Sequence, residues 1–272
     1  MKPVIHIRST KTFIHLLQEC LAASELLKCL VWRDILVRYK EASLGILWAL
    51  FRPALSVILL TYLFGVVAKL PSADAPYSLF VLAGIIPWQL VVSVLQTSST
   101  SFILNHELIS KIYFPRIHLV LSNLLVNSVD LVVSLVVFLP FLFFQVGFRW
   151  ENLLLLFLLP LLFLLAFSVA LLVSSLSIRI RDLIIAVPYL SQISLFLTPV
   201  GYSSDLIDGM GAFALYLNPL TGIIEGFRYA LLGIHHPHLE GCLFLSVLTI
   251  LSFLTAALFF FKKTDQVLSD VL

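Results

Sequence analysis

Residues 153–176 read LLLLFLLPLLFLLAFSVALLVSSL. No charge interrupts them, and a bilayer span needs only about 20 mostly apolar residues. The leucines and phenylalanines run on without the in–out alternation of a barrel strand, so an α-helical span is the reading. The rest of the 272-residue chain follows the same pattern: 60% apolar, 12% charged, mean hydropathy +1.06. Soluble domains carry about 25% charged residues. So few charges cannot cover a water-facing surface, which excludes an ordinary soluble enzyme and a disordered chain. A net charge of +2 excludes nucleic-acid binding through a basic surface. The fold class is an all-α polytopic membrane protein, one domain over 1–272.

Six spans are expected, near 44–68, 77–104, 119–145, 153–176, 183–200 and 241–261. Arg52-Pro53 should kink the first, and Pro87-Trp88-Gln89 should break the second. Residues 1–43 hold seven Lys/Arg and no compact apolar core, so they read as a cytoplasmic or interfacial segment and not a cleaved signal. Over 29–40, Cys29, Val31, Trp32, Ile35, Leu36 and Tyr39 share one helical sector. Arg33 and Lys40 flank it on one side, Asp34 and Arg38 on the other. That pattern suits a helix lying in the membrane interface with its basic side chains snorkelling outward.

The basic residues set the orientation. Beyond the seven at the start, Lys111, Arg116, Arg179, Arg181, Lys262 and Lys263 fall on the same side as the N-terminus. Only Lys69, Arg149 and Arg228 fall on the other. Both termini are therefore expected in the cytoplasm. Between spans five and six, 205–217 and 219–232 are apolar but too short to cross. Asn218 can cap the second, with Pro219 at its first position and Gly233 past its end. A pair dipping into the outer leaflet and returning is expected, with Asn218, Pro219, Glu225 and Arg228 in it.

Enzymatic motifs are missing: there is no GxxxxGK[ST], HExxH or GxSxG. Cys20, Cys29 and Cys242 lack paired spacing. His235, His236 and His238 read as an exposed polar loop, and no metal site is assigned. Asn123, Asn127 and Asp130 share one face of the third span and either line a hydrophilic pathway or bond between helices. Tyr62, Trp88, Phe196 and Tyr202 are aromatic candidates for the wall of such a pathway. The chain shows no energy source of its own, so it is passive or driven by a partner.

Several segments in order resemble ABC-2 type permeases of the polysaccharide-export branch. These are Trp32-Arg33-Asp34-Ile35 through Arg38-Tyr39-Lys40 with Leu44-Gly45 and Trp48-Ala49; Pro87-Trp88; and Asn105 with Leu108-Ile109 and Lys111-Ile112-Tyr113-Phe114-Pro115-Arg116. Arg181-Asp182, Thr198-Pro199-Val200 with Tyr202, and Asn218-Pro219-Leu220 with Phe227-Arg228 follow. The resemblance implies a homodimer with two cytoplasmic ABC ATPase subunits. ATP and Mg would sit on those partners, and this chain would hold no cofactor and not be an enzyme by itself. The cargo would be a lipid-linked glycan of the O-antigen, capsule or teichoic-acid kind, moved through lipid surroundings and without nucleic acid. Glu107, Leu108, Lys111, Tyr113, Phe114, Pro115 and Arg116 would couple to the ATPase, with Asn105 capping a short helix over 106–113. Rival readings are an ABC-2 exporter of another amphiphile, a membrane enzyme of lipid-linked sugar metabolism, or a scaffold.

Overall fold

In a computed structural model, residues 23–72, 75–112, 114–207 and 209–270 are described, and all their regular structure is helical. Helix α1, Ser24–Lys40, precedes the bundle. The first long apolar helix, Gly45–Val67, opens as a 3₁₀ turn, continues as α2, Trp48–Leu60, and ends as a π-helix over Thr61–Val67. Next come α3, Tyr77–Leu104; the short α4, His106–Lys111; and α5, Ile117–Val146. A 3₁₀ turn, Trp150–Leu154, leads into α6, Leu155–Ser177. Then follow α7, Asp182–Leu197; α8, Met210–Leu217; α9, Pro219–Leu232; and α10, Leu239–Asp270.

Among the described residues five helices are long and apolar enough to cross a membrane: Gly45–Val67, Tyr77–Leu104, Ile117–Val146, Trp150–Ser177 and Leu239–Asp265. Helix α7 is apolar but shorter, with 16 residues, which is about 24 Å of helix. It stops at Leu197 because Thr198 precedes a proline and takes an extended backbone (φ −106°, ψ 137°), as the proline ring demands.

The second long helix is not broken at Pro87, contrary to expectation: α3 runs unbroken through it. It is also the centre of the bundle. Most of its residues from Leu79 to Val94 are buried, whereas the first long helix is largely exposed. A proline is tolerated at such depth when a neighbour satisfies the carbonyl it orphans. At Pro53 the arrangement is visible. The carbonyl four residues earlier, Ala49 O, accepts from Ser134 Oγ of α5 at 3.2 Å.

Helices α9 and α10 approach each other through Gly222. A Cβ there would lie 2.5 Å from the Cys242 carbonyl oxygen and would also strike Ser246 Oγ. Gly222→Ala is therefore expected to destabilise the bundle by about 1–3 kcal/mol, read as a fall in the thermal unfolding midpoint in detergent. Gly241→Ala, where a Cβ meets nothing within 4 Å, should leave the midpoint unchanged.

Candidate functional site

Three clusters of polar side chains stand out against this apolar frame. The first joins α1 to the bundle. Arg38, in the last turn of α1, donates from Nη1 to Asn127 Oδ1 (2.9 Å) and from Nη2 to Asp130 Oδ2 (2.5 Å). Tyr39 donates its hydroxyl to Asp130 Oδ1 at 2.6 Å. Burial, then the hydrogen bond to Asp130, push the Tyr39 hydroxyl well above its ordinary range, so it stays a donor at neutral pH. Asn127 donates to Thr97 Oγ1 of α3 (3.1 Å), and Asn123 to Ser98 Oγ (3.3 Å). The polar stripe of the third span thus bonds α1, α3 and α5 together.

Helix α1 meets the bundle through Leu30, Arg38 and Tyr39. Its one buried side chain is Leu30, outside the apolar sector, while Trp32 is 64% exposed. Arg38 does not snorkel outward; it turns inward, because Asp130 offers a charged partner that the headgroup layer would otherwise supply. Arg33 instead reaches Asp34 (2.8 Å) and Asn105 Oδ1 (3.5 Å). Asp130 and the exposed Arg52 line a groove of about 250 Å³ with Arg38, Tyr39, Ala42, Gly45 and Trp48.

The second cluster is at the opposite end. Arg228 of α9 is fully buried. Its Nη1 donates to Glu225 Oε1 and its Nη2 to the Val200 carbonyl, both at 2.9 Å. Its guanidinium carbon lies 3.6 Å from the centre of the Phe80 ring, a cation–π contact. Ser204 Oγ donates to Glu225 Oε1 at 2.8 Å. Asn218 caps α9 as expected, accepting from Leu220 N (3.1 Å) and donating to Thr198 Oγ1 (3.0 Å). Pro219 follows at the first position, and Gly233 (φ +70°) closes the helix. The Tyr77 hydroxyl donates to the Gly201 carbonyl. The i, i+3 spacing of Glu225 and Arg228 is visible in sequence, and Thr198 falls in a segment that carries the family resemblance; Phe80, Ser204 and Tyr77 gave no signal, because their role depends on where distant loops return.

The third cluster is α4 with its flanks. Glu107 and Lys111 are exposed and paired at 3.3 Å, and Leu108 is half-buried. Asn105 does not cap the helix: its Nδ2 donates back to Ser101 O (2.9 Å) while its Oδ1 faces Arg33. The helix ends at Lys111, and Tyr113 lies outside the described residues. Phe114 is turned into the chain's own core, at 6% exposure, which removes it as an outward anchor. Past the half-buried Pro115, Arg116 donates from Nη1 to the Asp265 carbonyl (2.6 Å) and carboxylate (2.9 Å) on α10.

The aromatic candidates do not converge. Tyr62 and Phe196 are exposed on the outside of the chain, at 59% and 60%. Trp88 is half-buried with its indole nitrogen unbonded. The Tyr202 hydroxyl donates to Phe196 O at 3.1 Å. His236 faces Asp205 at 3.0 Å, and among the described residues no three His, Cys, Asp or Glu side chains form a metal-holding group.

From residue 25 to residue 232, the first turn of α1 to the end of α9, the chain matches the ABC-2 type transporter family. The chain belongs to that family. All three clusters, apart from Asp265, lie inside the matched region. Two O-antigen export system permease proteins RfbA of Klebsiella pneumoniae are each 30% identical, over 208 and 213 residues, 75% of this chain and 79% of the relative. A protein of the same name from Myxococcus xanthus is 26% identical over 258 residues, 93% of this chain and 98% of the relative.

In this ABC-2 type transporter the Arg38–Asp130 bond is one of the contacts that hold α1 to the bundle. Asp130→Ala is expected to destabilise the protein by about 1–3 kcal/mol, since it strands the Arg38 guanidinium. Adding Arg38→Ala should recover part of that loss. Unfolding midpoints of both single variants and the double variant give the coupling, and strict additivity would mean that the pair contributes nothing.

Proposed function

We propose that the chain is the membrane subunit of an ATP-driven exporter that moves a lipid-linked, O-antigen-like polysaccharide across the cytoplasmic membrane of a bacterium. The observation that carries this reading is the 30% identity, over three quarters of the chain, to proteins named as O-antigen export permeases. Two copies form the pathway, and two separate cytoplasmic ATPase subunits, which hold ATP and Mg, drive it. Helix α7 serves as the fifth of six spans, α1 lies at the membrane interface, and α8 with α9 forms a re-entrant pair on the outer side. Both termini are cytoplasmic, in line with the distribution of Lys and Arg.

The geometry supports the coupling role of α4. Helix α4 exposes its charged side chains while Ile109 and Phe114 are buried beneath it. Its C-terminal flank is bound to α10 through Arg116. A short helix held at both flanks transmits a push from a docked ATPase to α3, α5 and α10 without bending. Of the aromatic candidates, Tyr202 and Phe196, joined by the bond from the Tyr202 hydroxyl to the Phe196 carbonyl, offer rings on which sugar faces stack and slide, since a ring face holds a sugar without fixing it as a directed hydrogen bond does.

Purified alone, the chain should show no ATP hydrolysis, and the assembled complex should; hydrolysis by this chain alone would sink the reading. The double variant E107K/K111E keeps an i, i+4 pair but inverts its charges. It is expected to lower ATPase co-purification roughly tenfold while membrane insertion, followed by fractionation, stays the same. Undiminished co-purification would count against coupling through α4.

A further inference from the structure

Arg52 has no assigned task in any contact described above. It sits in a long apolar helix, one turn past Trp48, and its guanidinium carries five donors. Among the described residues its side chain has no ion pair or hydrogen bond; only its backbone oxygen is engaged, accepting from Ser56 Oγ. The acid that shares its groove, Asp130, is already engaged. Asp130 accepts from Arg38 on one oxygen and from Tyr39 on the other. The groove that holds all four residues therefore carries one uncompensated positive charge.

An ionisable residue within a span ordinarily turns to a partner or a pathway. Arg52 is exposed and borders both this groove and a smaller polar pocket formed with Gln89, Ser93, Asn127 and Asp130. The groove is shaped by the backbone as well. Gly45 takes φ +51°, and a Cβ there would press against the Tyr39 carbonyl at 3.3 Å, so the turn between α1 and α2 stays open only with glycine. Trp48, 40% exposed, supplies an amphipathic wall of the kind found at headgroup level. Beyond it the first long helix presents Phe51, Leu55, Ile58 and Leu59, each at least 45% exposed, a continuous apolar track for a lipid tail.

We propose that the groove between Arg38-Tyr39 and Trp48-Arg52 binds the phosphate of a lipid headgroup, with Arg52 as the anion-binding side chain and the lipid tail lying along α2. Arg52 suits this because a guanidinium meets two phosphate oxygens at once. Arg38 is held by Asn127 and Asp130, so it adds field but not direct contact. The phosphate can come from a membrane phospholipid or from a polyprenyl carrier, and the chemistry at Arg52 is the same for both. The binding needs neither an ATPase nor a glycan, so it stands or falls apart from the export reading.

Native mass spectrometry of the purified full chain in detergent tests it, with three probes: dioleoyl phosphatidylglycerol, undecaprenyl phosphate and, as the phosphate-free control, dioleoylglycerol. The phosphorylated lipids should bind about tenfold or more tightly than dioleoylglycerol, and Arg52→Gln should remove most of that difference. Ala42→Glu, which sets a carboxylate into the groove without removing any existing contact, should do the same, and it keeps the test open if the first variant does not fold. Preference for undecaprenyl phosphate over phosphatidylglycerol would support the site with a carrier lipid as occupant; equal or reversed preference would support it with a phospholipid. Equal binding of all three lipids, or phosphate preference unchanged in a folded variant, would overturn the proposal.

Discussion

The bond from Arg38 to Asp130 joins positions 92 residues apart, and much of the molecule is arranged around keeping it whole. A carboxylate near the middle of an apolar helix is tolerable only when donors meet both of its oxygens. Asp130 meets that condition with Arg38 and Tyr39, which are adjacent in sequence and both at the end of α1. The position of α1 thereby rests in part on a polar bond, and its tryptophan is left outside. The same bond leaves Arg52 without a counter-charge, so the way one acid is satisfied determines which base remains available.

At the other end of the bundle the constraint is the same with the signs exchanged. Arg228 is fully buried, and its charge is met by Glu225, by the Val200 carbonyl and by the face of Phe80. The carbonyl is free because the chain leaves α7 at Thr198-Pro199 in an extended form. The turn after α7, the first part of α3 and the middle of α9 are thus locked together. Between these two anchored ends the helices are held by apolar packing. The stretch of π-helix at Thr61–Val67 lies in the least buried of the five long helices, where few neighbours enforce regular geometry.

Much of this was legible in the residues alone. The bounds of α3 fall at 77 and 104, where the hydropathy changes, and α9 begins and ends where Asn218-Pro219 and Gly233 place it. Caps and hydropathy are local, so they survive folding. The misreadings share one cause as well. Pro87 was expected to break a helix and Asn105 to cap one, yet each outcome turned on distant partners. A buried helix carries a proline without interruption, and Asn105 turns back to Ser101 and toward Arg33. Phe114 reads as an anchor for a partner because it is aromatic and lies in a loop, and only packing shows that it faces inward.

Composition and hydropathy by themselves determined a helical membrane protein, since each residue's transfer energy into lipid is its own property. They also marked Asp130 and Arg52 as charged residues inside apolar helices. Which partners such residues have was decided by tertiary structure. An ion pair at membrane depth depends on which helices lie side by side, and apolar helices of similar length carry almost no information about their neighbours. The Arg38–Asp130 bond, the seat of Arg228 over Phe80, and the open groove at Arg52 all depend on that choice.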